Sequence, residues 1–161
     1  MGRRDIDVTA ASTGSVERVY ELLRAGATWP VWSGLDSFEL ERPSPEPDRA
    51  GVAADGHGAD EGVGAIRVFR TGPLRSREQI VELVPGRRLS YVLLSGLPLR
   101  DYRADVELTP TAEGTEIRWH STFDAKLPGT GWFYRWLLGR FLRQTVRGLA
   151  TYAGRGGSSA A

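Results

Sequence analysis

Residues 64–124 read GAIRVFRTGPLRSREQIVELVPGRRLSYVLLSGLPLRDYRADVELTPTAEGTEIRWHSTFD, and their punctuation decides the fold. Thr71-Gly72-Pro73-Leu74, Val84-Pro85-Gly86-Arg87 and Thr111-Ala112-Glu113-Gly114 are turn sequences, rich in residues that accept tight or left-handed backbone. Between them apolar and polar residues alternate at the two-residue period of a strand with one buried face. Strands are expected over 65–71, 74–84, 87–95, 100–109 and 115–124, closely spaced as in an antiparallel meander.

Turn positions set the register, and the register sets the face each side chain takes. With the three turns above and a fourth hairpin near Leu97 and Pro98, Phe69 faces Ser76, Ile80 faces Tyr91, Leu93 faces Tyr102, Tyr102 faces Phe123, and Ala104 faces Ser121. All four hairpins agree on one inward face of Phe69, Ile80, Tyr91, Leu93, Tyr102, Val106, Leu108, Ile117, Trp119 and Phe123. The other face of the last two strands carries Asp101, Arg103, Asp105, Glu107, Glu116, Arg118, His120 and Asp124, a solvent face. Arg67 and Glu78 interrupt the apolar side, opposite one another. A one-residue slip would expose Phe69 and Ile80 instead, so an inward ion pair is expected. Such a pair serves either fold specificity alone or a cavity wall that orients a polar ligand group.

Residues 5–11 alternate as a half-buried strand with Ile6, Val8 and Ala10 inward. Ser12 or Ser15 can cap a short helix with Glu17 in its first turn and a stripe of Val16, Val19, Tyr20 and Leu23, the pattern of a helix start. Thr28-Trp29-Pro30-Val31-Trp32-Ser33 reads as a capped turn or second short helix, and 37–42 as a strand with Phe38 and Leu40 on one side. Residues 43–63 hold Pro, Gly, Asp and Glu with almost no large apolar side chain, the composition of a mobile surface loop. Residues 130–153 lack proline and read as one long helix; the Gly/Ser/Ala-rich tail 154–161 is expected to be disordered. Residues 1–153 thus make a single domain.

Projected at 100° per residue, Tyr134, Leu138, Phe141, Leu142, Thr145, Leu149 and Tyr152 share a stripe that should face the sheet. Arg140, Arg143, Gln144, Arg147 and Thr151 lie opposite. Trp132, Phe133 and Trp136 project to this polar side. They are either covered by the 28–33 turn, against Trp29 and Trp32 near a cavity mouth, or exposed as a patch for a partner or a membrane surface.

The chain has 161 residues, no Cys, two His and a net charge of +1. Disulfides and thiolate chemistry are excluded, and no global field favours nucleic acid. No apolar run approaches the ~20 residues needed to span a bilayer, and no signal-peptide core opens the sequence. A cytoplasmic location and no stable membrane insertion follow. Oligomeric state is left open. There is no nucleophile elbow, phosphate loop or dinucleotide fingerprint. His57, between Gly56 and Gly58 and near Asp55, Asp60 and Glu61, reads as loop rather than as a metal ligand, and His120 alternates outward. No metal or cofactor is expected.

The order strand, two short helices, strand, meander, long helix resembles the START-like superfamily with its helix-grip fold. Trp29-Pro30-Val31-Trp32, Gly64-Ala65-Ile66-Arg67, Arg77-Glu78-Gln79-Ile80-Val81-Glu82, Pro85-Gly86-Arg87-Arg88-Leu89-Ser90-Tyr91 and Gly114-Thr115-Glu116-Ile117-Arg118-Trp119 make it similar to the polyketide cyclase/dehydrase and lipid-transport group (SRPBCC). The resemblance spans nearly the whole chain apart from 43–63 and the tail. It implies an α+β fold, a curved antiparallel sheet wrapped around the last helix, with a cavity between them for a lipid, a polyketide or a similar small hydrophobic molecule. Some members instead catalyse cyclisation or dehydration. By position Arg67, Glu78, Tyr91, Tyr102 and Trp119 match inward family positions. The expected lining adds Phe69, Ile80, Leu93, Ser121, Phe123, Tyr134, Leu138, Phe141 and Trp32. Arg67 and Glu78 are the candidates for catalysis: Arg67 would hold a ligand oxygen, and Glu78 or a tyrosine would move a proton. A third possibility is a membrane-surface or protein-partner module acting through Trp132, Phe133 and Trp136.

Overall fold

The structure is a computed structural model and describes residues 3–46 and 48–158. Seven strands form one antiparallel sheet: β1 (Arg4–Ser12), β2 (Ser37–Arg42), β3 (Ile66–Thr71), β4 (Leu74–Val84), β5 (Arg88–Ser95), β6 (Leu99–Thr111) and β7 (Gly114–Ala125). Their spatial order is β1-β7-β6-β5-β4-β3-β2. Helices α1 (Val16–Arg24) and α2 (Trp29–Trp32), with a 3-10 turn between them, link the two sheet edges, and α3 (Gly131–Ser158) packs across the inner face. This is the expected helix-grip α+β architecture.

The meander register follows from the turns, except beside the Val84–Arg87 turn, where Val84 pairs with Arg88 and a shift between Ile80 and Glu82 restores the expected register. Arg67 pairs with Glu78 and Phe69 with Ser76. Ile80 pairs with Tyr91, and Val106 with Trp119. The expected inward residues are buried, Leu93 only partly. One departure shapes the interior. The pairing shifts between Arg100 and Arg103, and Asp101 takes a left-handed φ of 51°, a conformation Asp tolerates better than most residues. This bulge replaces the regular Tyr102–Phe123 pair. Tyr102 still stacks on Phe123, with ring centroids 6.2 Å apart.

On α1, Ser15 Oγ accepts the Arg18 N–H and caps the helix. Ser12, the other cap candidate, instead donates from Oγ to the Ala150 carbonyl at 2.7 Å, riveting β1 to α3. The buried stripe of α3 includes Leu138, Leu142, Thr145 and Leu149, as expected, and extends to Val146, Ala150 and Ala153. The shift reflects packing on both β1 and the sheet interior. Close approach to α2 depends on Gly148, because a Cβ there would collide with the Trp32 carbonyl. The helix continues to Ser158, past the boundary the Gly/Ser composition suggests; residues 159–161 of the expected tail lie outside the described residues.

The described part of residues 43–63 is turns and bends, but its ends are anchored. Ser44, Ala59 and Glu61 are buried. Arg24, which the sequence pattern left unremarked, is fully buried. It donates to the carbonyls of Asp48, Ala50 and Gly58, tying the segment to the end of α1.

Candidate functional site

A cavity of about 250 Å³ lies between the sheet and α3. Its deep walls are Trp29, Phe69, Tyr91, Tyr102 and Trp119, and α3 supplies Leu137, Leu138, Phe141, Leu142 and Thr145. Leu35, Thr71, Leu74, Ser76, Glu78, Leu93, Gly96 and Leu97 complete it. Leu74, Gly96 and Leu137 are exposed and frame the opening. Trp29 opens α2, just ahead of Pro30 in the first turn, and its indole N–H donates to the Leu23 carbonyl at 3.1 Å. It stacks on Phe69 at 4.9 Å and meets Trp119 edge-on at 5.6 Å.

Of the expected lining, Phe69, Glu78, Tyr91, Leu93, Tyr102, Trp119, Leu138 and Phe141 reach the cavity, whereas Arg67, Ile80, Ser121, Phe123, Tyr134 and Trp32 do not. Ile80 is wholly buried. Phe123 lies behind the Tyr102 ring, and Ser121 Oγ is 3.0 Å from the Tyr102 hydroxyl, supporting the wall from outside. Trp32 is buried against Trp29 with its indole N–H on Thr28 Oγ1 at 3.1 Å. Tyr134 packs on Phe133 at the start of α3.

The expected Arg67–Glu78 ion pair is not formed, although the two residues are cross-strand neighbours. Arg67 turns to Glu61, with Nε 2.9 Å from Oε1, in a charge contact without hydrogen-bond alignment at that nitrogen. Its Nη2 donates to the Leu23 carbonyl at 2.9 Å. The guanidinium stacks over the rings of Trp29 at 4.9 Å and Phe69 at 5.4 Å. Those two rings stand between Arg67 and the cavity. The Glu61 carboxylate also accepts the Gly26 N–H at 2.9 Å, and a Cβ at Gly26 would strike that carboxylate and Phe38. Glu61 was hidden in an acidic, glycine-rich loop with no period to mark it as inward, and it does not stand with His57 as a shared cluster. Burial depresses the Arg67 pKa, partly offset by Glu61 and then Glu78.

Glu78 is thereby left as a carboxyl facing an apolar cavity, with no hydrogen bond or ion pair to another described residue. Burial raises its pKa from 4.5 to about 7, with Arg67 pulling the other way. Beside it the Tyr91 hydroxyl accepts the Trp119 indole N–H at 3.3 Å. Burial, reinforced by Tyr102 and Glu78, holds the Tyr91 pKa well above its ordinary value. Burial also pushes Tyr102 up to about 12, against the Ser121 hydrogen bond. Both tyrosines are neutral donors, and the site can offer a proton or a hydrogen bond from Glu78 near neutral pH.

Trp132, Phe133 and Trp136 are not covered by the 28–33 turn: they are 66 %, 41 % and 54 % exposed. His120 lies on the outer face, 3.7 Å from Asp5. Among the described residues no cluster of His, Asp and Glu is arranged to hold a metal, and no helix is long and apolar enough to cross a membrane.

Solved structures share the fold at low sequence identity. The di-domain ARO/CYC StfQ from the steffimycin biosynthetic pathway is 18 % identical, with a TM-score of 0.73 over 97 % of this chain and 52 % of that one. A START superfamily protein from Mycobacterium smegmatis is 13 % identical, with a TM-score of 0.70 over 92 % and 95 %. The protein TTHA0849 from Thermus thermophilus is 16 % identical, with a TM-score of 0.69 over 96 % and 99 %. A search of the curated proteins finds no significant match. The sequence model of the family described as polyketide cyclase / dehydrase and lipid transport matches residues 3–154, and the chain belongs to that family.

Proposed function

We propose that this domain binds a small hydrophobic molecule, such as a lipid or a polyketide-like compound, in the cavity between the sheet and α3. One observation carries the reading: an aromatic and aliphatic cavity containing a single unpartnered carboxyl, Glu78. Apolar walls supply affinity by releasing water, and one polar group fixes orientation. The favoured ligand therefore has an apolar body and one oxygen that accepts a hydrogen bond from the Glu78 carboxyl. The family description points the same way. Native mass spectrometry of the purified protein, followed by extraction, is the test. A retained compound of this chemistry is expected. Retention of only polar molecules, or none after incubation with a panel of lipids and polyphenols, would remove the reading.

Glu78 also favours a second reading, a cyclase or dehydratase acting in the same cavity. Its raised pKa suits proton transfer at neutral pH,. Glu78 would carry the proton, and Tyr91 and Tyr102 would orient the substrate. Arg67 has no part in this version, because Trp29 and Phe69 screen it. Under this reading Glu78→Gln abolishes turnover of a polyketide-like substrate while preserving its binding; undiminished turnover in that variant would exclude it.

A further inference from the structure

From Ala125 to the C-terminus the sequence holds one Lys and five Arg and not a single Asp or Glu; all twenty acidic residues precede it. The near-zero net charge therefore hides a strong segregation. α3 carries the five arginines, and three of them share one outward face with its two tryptophans. Trp132, Trp136, Arg140, Arg143 and Arg147 project within roughly 80° of arc at the helical period, with Phe133 just beyond. All six are exposed. Arg140, Arg143 and Arg147 form no ion pair with another described residue.

Exposed tryptophans of this kind carry an unrewarded cost in water. Tryptophan and arginine together suit the boundary of a bilayer, where the indole sits at headgroup depth and the guanidinium meets phosphate. The face is also next to the cavity: Leu137, exposed beside Trp136, lines the opening. A groove between α3 and β1, of about 270 Å³, runs along the other flank of the same face. Arg4, Arg135 and Arg143 line it together with Trp132 and Trp136; Asp7, its one acid, is engaged by Arg118 at 2.6 Å.

We propose that the outer face of α3 docks on the surface of an anionic lipid bilayer, with Trp132, Phe133 and Trp136 at headgroup depth and the arginines on lipid phosphates. A second copy of this chain fits the face poorly, because a two-fold contact would set Arg140, Arg143 and Arg147 against their own copies. Nucleic acid fits poorly because the aromatics are confined to one end of the arginine row. Docking does not depend on what the cavity holds. It would bring the opening close to the source of a lipid-soluble ligand.

The test is co-sedimentation of the full chain with vesicles of phosphatidylcholine containing about 30 % phosphatidylglycerol, beside vesicles of phosphatidylcholine alone, at low salt and at about 0.5 M salt. Binding is expected to the anionic vesicles only, and to fall sharply at high salt. R140Q/R143Q/R147Q should weaken it on the order of a hundred-fold, at about five-fold per arginine. W132A/W136A should weaken it further without altering the circular dichroism spectrum, since both rings are outside the core. No binding to the anionic vesicles overturns the proposal. So does binding that both variants retain, or self-association at micromolar concentration that the tryptophan variant abolishes.

Discussion

Trp29 divides the interior into two regions with opposite treatment of charge. Behind it, Arg67 and Glu61 are buried together: the guanidinium donates to the Leu23 carbonyl and stacks on Trp29, and the carboxylate accepts the Gly26 N–H. In front of it, Glu78 faces a cavity with no partner among the described residues. Yet Arg67 and Glu78 are cross-strand neighbours on the same sheet face. Register thus assigns a face but not a partner. A loop that belongs to no strand decides which acid Arg67 meets, and that choice leaves the other acid available to a ligand.

The largest expected effect breaks the closed region. Glu61→Ala leaves the Arg67 guanidinium buried without its counter-charge, a loss of about 3–5 kcal/mol, read as a lowered midpoint in urea unfolding. Adding Arg67→Leu should recover much of that loss. A cost no greater than that of a surface substitution would mean that Glu61 does not neutralise the buried Arg67.

The second concerns pH. Folding holds the Glu78 pKa above its ordinary 4.5, at about 7. The folded state therefore binds the more protons between those values. Stability from this group is complete below about pH 4.5 and is lost as pH rises to about 7, by roughly 3 kcal/mol. Glu78→Gln should remove that slope, so the difference between wild type and variant should change across this window. A difference flat from pH 4.5 to 7 would mean that Glu78 is ionised throughout and the cavity floor is wet.

Two glycines of α3 sharpen the contrast between its packed and open faces. Alanine favours a helix interior over glycine by about 1 kcal/mol. At Gly148 that gain is overwhelmed, because the added methyl would enter the Trp32 carbonyl; a net loss of about 1–3 kcal/mol is expected. At Gly139 the nearest atom is the flexible end of Arg143, at 3.4 Å, so Gly139→Ala should stabilise by up to about 1 kcal/mol. Thermal melts of the two variants, moving in opposite directions, check this.

The strands, their turns and the inward face were legible in the sequence because short hairpins leave the register little freedom. Tyr91, Tyr102 and Trp119 could be placed in the interior from alternation alone. The Asp101 bulge was not legible, since Asp-Tyr-Arg carries no glycine to mark it. Nor was Glu61, whose neighbours are all small or polar. For Trp132 and Trp136, helical projection assigned the outward face correctly. Of the two placements that projection leaves open for them, the exposed patch holds, because Trp29 and Trp32 are buried inside the sheet's grip rather than at its rim.

The five tryptophans report on these regions separately. Trp29 and Trp119 line the cavity, Trp32 lies behind it, and Trp132 and Trp136 stand on the outer face of α3. Titration with 2-naphthol, an apolar ring bearing one hydroxyl, can be followed by the indole N–H signals in a nitrogen-15 correlation spectrum. Binding in the cavity predicts saturable shifts at Trp29 and Trp119 that leave Trp132 and Trp136 in place. Shifts confined to Trp132 and Trp136, or none at Trp29 and Trp119 at saturating probe, would contradict it.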